Sequence, residues 1–245
     1  MNVNAKGLEA IPEVFVLHVR KGYEERRVHI ERLMSRHGLH FEFILDGDYD
    51  DISEACKARW FSEDNRLTHA AMSCAYKHLL ACRAVVERGL PGALVLEDDV
   101  VFSRRFDRLM PMAVGQLLAL GDEPALLSME NTRLRFVPRS RRRRGILIYP
   151  GDRDRYAACY YINRAGAESI LRHSEGGGID RPIDLFHRLL LEQGKLRYYW
   201  MHPTVATQGS FTGQFQSAIN PYDRFVEPLK WRLQLAWRQL IYNLR

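Results

Sequence analysis

Short, wholly apolar runs alternate along this chain with longer stretches in which apolar residues recur every three or four positions. "EVFVLHV" (13–19), rich in β-branched and aromatic residues, predicts a buried first strand. "EERRVHIERLMSRHG" (24–38) sets Val28, Leu33 and Met34 on one stripe and stops at Gly38, which predicts a helix. "HFEFIL" (40–45) alternates as a second strand, and "DGDYDD" (46–51) follows as an acidic turn. "LTHAAMSCAYKHLLACRAVVERG" (67–89) opens on a Thr68 cap and closes at Gly89, a second helix. "GALVLEDD" (92–99) is then the third strand. Strand, helix, strand, helix, strand is the order of a parallel sheet covered by helices.

The pattern loosens beyond residue 105. "FDRLMPMAVGQLLAL" (106–120) predicts helix in its second half, and "PALLSME" (124–130) a short strand. Residues 131–155 read as irregular. "YAACYYINRAGAESILRH" (156–173) runs strand into helix, "GGGIDRPIDLFHRLLLEQG" (176–194) a glycine-rich loop into helix, and "KLRYYWMHP" (195–203) is a last strand. No repeat and no clean break in composition divides the chain. The fold class is α/β: one domain over residues 1–226 with a mostly parallel central sheet flanked by helices, then a basic amphipathic helix over 227–245.

Composition narrows this little. The 245 residues are 46% hydrophobic and 27% charged, as in globular proteins. A net charge of +6 permits acidic partners without choosing among nucleic acid, anionic lipid and phosphorylated small molecules. Cys56, Cys74, Cys82 and Cys159 form no C-x-x-C pair. With no signal peptide in view they read as reduced thiols of a cytoplasmic protein. No run approaches the roughly 20 apolar residues of a membrane span.

The candidate chemistry sits at the end of the third strand. Ligands of open α/β sheets bind at the carboxyl ends of the strands, where Glu97, Asp98 and Asp99 stand. Residues two apart on an extended segment share a face, so Glu97 and Asp99 point together and Asp98 away. Two carboxylates so placed suit a hard divalent cation held against a diphosphate; the alternative is a solvated acidic turn.

"LVLEDDVVF" (94–102) resembles the metal-binding motif of glycosyltransferase family 25, the group of lipooligosaccharide and collagen galactosyltransferases. "VFVLHVRKGYEERRVHIERL" is similar to that family's opening segment, and "GLHFEFILDGD" to its second strand and Asp-Gly turn. "LTHAAMSCAYKHLLACRAVVE", "CYYINRAGAESIL" and "RPIDLF" resemble later segments, in order, over about residues 13 to 210. The family's Glu-x-Gly-Cys reads Ala71-Met72-Ser73-Cys74 here, and its Ser-His reads Lys77-His78. The resemblance implies a GT-A type fold and inverting transfer from a UDP-sugar, foremost UDP-galactose, with Mn²⁺ or Mg²⁺ as cofactor. It makes Asp99 the direct metal ligand, with Glu97 and Asp98 on the ribose or on metal-bound waters. The acceptor it implies is a lipooligosaccharide or lipid-linked glycan.

Other residues carry two readings each. Asp184, at a helix entry, is a candidate base for the acceptor hydroxyl or a first-turn acid on the helix dipole, with Asp180 and Asp46 as rivals. His78 is a donor contact or a structural histidine, and His202 a further metal ligand or surface packing beside Pro203. Arg26 and Arg27 open the first helix, where guanidinium donors suit a diphosphate; only one of them can face the cleft. "RSRRRR" (139–144) is a solvated loop or a contact for phosphorylated sugars or anionic head groups, and no nucleic-acid motif accompanies it. In the tail, Leu229, Leu233, Ala236, Leu240 and Leu244 share one helical face among cationic residues. That suits an anionic membrane surface, here the inner face of the cytoplasmic membrane, or docking on the protein itself. The rival functions are a metal-dependent nucleotidyltransferase or phosphohydrolase, and a non-enzymatic basic module indifferent to Asp99.

Overall fold

The computed structural model describes residues 12–216 and 226–244. Its centre is a seven-stranded sheet built from β1 (Glu13–Leu17), β2 (Glu42–Ile44), β3 (Gly92–Glu97), β5 (Ala125–Ser128), β6 (Ile148–Pro150), β7 (Cys159–Asn163) and β8 (Arg197–Met201). Across the sheet the order is β2-β1-β3-β7-β5-β8-β6. β1 runs parallel to β2 and β3, and β5 parallel to β8. β7 is antiparallel to both β3 and β5, so those two point the same way, and β6 is antiparallel to β8. Five strands therefore share one direction, which makes the sheet mostly parallel, as the sequence pattern predicts.

Helices cover both faces: α1 (Glu24–Arg36) and α4 (Phe106–Leu118) on one side, α3 (His69–Glu87), α5 (Arg164–Ser174) and α6 (Ile183–Glu192) on the other. Two buried clusters, one per face, follow from this layering. A short α2 (Glu54–Trp60) packs Trp60 into the second face. Past the acids, β4 (Val100–Phe102) pairs antiparallel with β9 (Ala206–Gln208), and a one-turn α7 (Gly209–Thr212) follows.

Local chemistry explains most boundaries. The Thr68 hydroxyl caps α3 by accepting the Ala71 N–H, as its position predicts. In α1 the buried stripe is Ile30, Leu33 and Met34, while Val28 is 44% exposed, so the predicted stripe is one residue out. α4 begins at Phe106 instead of in the second half of its segment. Pro111 removes one hydrogen bond there, but Phe106, Leu109, Met110, Ala113, Val114 and Leu117 bury a continuous face that outweighs it.

The C-terminal helix α8 (Val226–Leu244) buries Trp231 against Leu134 and Phe136, and the Trp231 indole N–H donates to the Thr132 carbonyl at 3.0 Å. Near its end it is also held by Arg142, whose guanidinium donates to the Tyr242 carbonyl and the Asn243 side chain. The arginine run thus divides: a 3-10 turn over Arg139–Arg141, one clamp at Arg142, and exposed Arg143 and Arg144. No helix among the described residues is long and apolar enough to cross a membrane.

Candidate active site

β3 delivers its carboxyl end to the floor of a cavity of about 230 Å³. Its walls include His18 and Val19 after β1, Tyr23 and Arg26 of α1, Asp48 and Tyr49 of the acidic turn, and His69, Ser73, Cys74 and Lys77 along α3. Glu97, Asp98, Asp99 and Gln208 complete it.

The three acids have separate fates. Asp98 is saturated: its oxygens accept from His18 Nδ1 at 2.7 Å and from Arg26 Nη1 at 2.9 Å. Glu97 accepts from the Gln208 amide at 2.8 Å. Asp99 accepts the Ser210 N–H at 3.2 Å through Oδ2, while its buried Oδ1 has no partner. Burial raises both the Glu97 and the Asp99 carboxyls; the Asp98 charge adds to the first, the Glu97 charge to the second, and Arg26 opposes both. Strict alternation ends at Glu97, because residues 98 and 99 form a turn: all three acids line the cavity and sense one another, and Asp98 differs in being engaged by His18 and Arg26.

The acidic turn is held open from α3. Lys77, 2% exposed, donates all three ammonium protons: to the Leu45 and Asp46 carbonyls at 2.8 and 3.0 Å and to Asp48 at 2.8 Å. Ser73 donates to the Gly47 carbonyl at 2.8 Å. Tyr49 stacks flat on His69 at the rim, ring centroids 3.6 Å apart. The two positions that depart from the family pattern beside Cys74 and His78 therefore position this turn.

The remaining candidates separate. Arg26 faces the cavity, lies over Tyr23 and Phe215 and donates to the Gln216 carbonyl; burial works to lower it, but the charges of Asp99 and Asp98 outweigh that and raise it. Arg27 instead pairs with Glu31 at 3.0 Å over the Phe43 ring, on the outer surface. His78 lies beneath the floor, bonded to the Tyr160 hydroxyl at 2.9 Å, its free Nε2 3.7 Å from Glu97. Burial lowers it to about 3, so it is a neutral acceptor. His202 does not line the cavity; burial and the nearby Arg142 and Arg155 lower it to about 4, and it lies among those cations instead of the acids. Asp184 is buried in the first turn of α6 and accepts from Arg133 at 3.0 Å. It too stands outside the cavity wall.

His18, Tyr23, Lys77 and Gln208 escape a reading of the sequence, as does Glu130, whose carboxylate is wholly buried. The signal for Glu130 was present: "ALLSME", like "ALVLEDD", closes an apolar strand on an acid.

Two sets of donors here can hold a metal. Glu97 and Asp99 offer oxygen alone, with the orphaned Asp99 Oδ1 among them, which fits Mn²⁺ or Mg²⁺. Cys74, His78 and Glu97 place ligand atoms within 4.8 Å of one another, a softer set closer to zinc's preference. Burial, with the charge of Glu97 next, pushes the Cys74 thiol well up, and a hard cation prefers the oxygen pair by its chemistry.

Buried carboxylates at the carboxyl end of a mostly parallel sheet, opening on a cavity, define an α/β enzyme that binds its ligand at the strand ends. The chain belongs to glycosyltransferase family 25 (LPS biosynthesis protein), whose family profile matches residues 12–186. It is therefore a glycosyltransferase, with a sugar donor and a glycan acceptor. Among solved structures it is similar to a protein described as a glucose-1-phosphate thymidylyltransferase from Bacillus anthracis, with 12% identity and a TM-score of 0.43 over 90% of this chain and 75% of that one. It is also similar to a glycosyltransferase involved in glycosylation of the PBCV-1 major capsid, with 11% identity and a TM-score of 0.42 over 80% of this chain and 94% of that one. No curated protein matches it.

Proposed function

We propose that this glycosyltransferase is an inverting, metal-dependent hexosyltransferase that moves galactose from UDP-galactose to a lipooligosaccharide or related lipid-linked glycan. One observation carries the reading: half-buried Glu97 and buried Asp99 are raised and turned to a cavity, and Asp99 keeps an unpartnered oxygen. A Mn²⁺ or Mg²⁺ ion on these two residues supplies positive charge against the donor diphosphate. Arg26 adds a guanidinium on the same wall, and the stacked Tyr49–His69 pair gives the uracil a flat surface at the rim.

Inversion takes one displacement. The acceptor oxygen bonds to the anomeric carbon as the bond to the diphosphate oxygen breaks, and a base receives the hydroxyl proton. We assign that base to Asp184. Burial raises its carboxyl above the usual range, and the Arg133 charge works against that rise. Arg133 links Asp184 to the neighbouring surface, and in this reading the acceptor enters from that side and the donor from the β3 side. The exposed face of α8 rests on the anionic inner face of the cytoplasmic membrane, near a lipid-linked acceptor.

Isothermal titration of a UDP-sugar panel, with and without Mn²⁺, on the wild type and Asp99→Asn tests this. Manganese-dependent binding of UDP-galactose, weakened at least about tenfold in the variant, is expected. Tight binding without metal, or equal binding by the variant, overturns the metal assignment. Nucleotide turnover without a glycan favours a nucleotidyltransferase or phosphohydrolase.

A further inference from the structure

A second cavity, of about 490 Å³, opens between the segment following β5 and the helix α8. Arg133, Arg135, Arg141, Arg153 and Arg238 line it against a single acid, Asp152. Their charges are only partly spent. Arg133 and Arg135 share Asp154, at 2.6 and 3.0 Å, and Arg141 donates to the neutral Pro150 carbonyl at 2.8 Å. Arg153 and Arg238 are exposed and have no carboxylate partner among the described residues. Unspent guanidiniums converging on a concave surface are costly to hold together unless an anion joins them, and their planar forks match a phosphate.

The other walls are aromatic. Phe136, Trp200 and Tyr242 line the same space, the first two as buried rings at its back, and Trp200 is backed by the buried Arg155 guanidinium, 4.8 Å from its ring centre. Aromatic faces beside cationic forks recognise a sugar ring that carries a phosphate better than either feature alone would. Position adds to composition: Arg133 lines this cavity and also bonds Asp184. A ligand seated here lies one side chain from the base assigned above.

We infer that this cavity is a phosphate-recognising subsite for the acceptor, which takes a phosphomonoester carried on a sugar ring of the glycan. The inference rests on the transferase reading, but its test uses no donor and no turnover, so the two can fail separately. Binding of galactose 6-phosphate, galactose and inorganic phosphate to the full chain is measured by titration calorimetry at low and moderate salt. The variants are Arg153→Gln and Arg238→Gln, with Arg108→Gln, an exposed arginine on α4, as a control of equal charge change.

The sugar phosphate binds tightest and galactose not at all. Each cavity variant loses about tenfold or more in affinity, the control keeps it, and binding weakens as salt rises. Equal loss in the control reduces the effect to net charge and overturns the site. So does equal binding of galactose, or binding of inorganic phosphate as tight as the sugar phosphate, which leaves the aromatic walls without a role. A final arm adds phosphatidate vesicles. If vesicles bind through Arg153 and Arg238 and the sugar phosphate does not compete, the phosphomonoester is a lipid head group and the acceptor assignment falls.

Discussion

Glu130 shows how one side chain shapes the pH response of the site. Its carboxylate is fully buried next to the Glu97 and Asp99 charges, accepts the Ala158 N–H at 2.8 Å, and is pushed by burial up to about 8. In the unfolded chain the same group titrates near 4.3. The folded state thus binds one more proton between those two values, and its stability falls as pH rises through that window, by up to about 1.4 kcal/mol per pH unit, then levels off above 8. Glu130→Gln removes the titration and keeps the shape. In thermal melts from pH 5 to 9, the variant gains on the wild type steadily up to about 8 and no further. A difference that does not change with pH shows that Glu130 is ionised in the native protein. Glu97 and Asp99 remain in both proteins but interact with the Glu130 charge, so the comparison reads Glu130 together with its coupling to them.

At the scale of elements, the site depends on how α3 grips the turn after β2. Gly47 has φ of +90° and lies under the Tyr76 ring, so a Cβ there would stand 2.7 Å from Tyr76 Cδ1. Gly47→Ala meets both a left-handed backbone penalty and a buried ring that has little room to move. Urea denaturation should show a loss of about 1–3 kcal/mol. A neutral result means that the turn shifts without cost and does not set the cavity wall. The Asp-Gly turn was legible in the sequence, because few other pairs allow that backbone. Thr68, the α3 boundaries and the third strand were legible for the same reason: cap, apolar period and stop agree. β4, β6 and β9 were not, since three residues without the alternating flanks that surround β2 make no period, and neither was the reversed direction of β7, which only its partners on either side fix. Of the site, the β3 acids and Arg26 could be read, being placed by regular elements. His18, Lys77 and Gln208 join through contacts 29 to 111 residues away in sequence, which no local pattern reports.

For the molecule as a whole, α8 presents a surface that the core does not use. One side of it is spent: Trp231 packs on Leu134 and Phe136, and Tyr242 stands edge-on to Phe136. The opposite side carries Leu229, Leu233, Trp237, Leu240 and Leu244, all more than half exposed, with Arg232 and Arg238 also exposed on the same helix. A helix docked through one stripe while a second apolar stripe stays in water has a surface to cover, and the exposed Arg143 and Arg144 nearby in the clamp segment favour an anionic one. The full chain is expected to sediment with vesicles containing anionic lipid, less so as salt rises, because screening removes the electrostatic part and leaves the apolar part. Trp237→Asp should cut the bound fraction by about tenfold or more with the melting temperature unchanged, since that side chain contributes area at the membrane and little to the fold. Two results turn the face elsewhere. If neutral vesicles bind as well as anionic ones, the arginines have no part in it. If the wild type ignores vesicles and sediments as a dimer that Trp237→Asp dissolves, the stripe pairs two copies of the chain, and the acceptor must reach Asp184 without a membrane to present it.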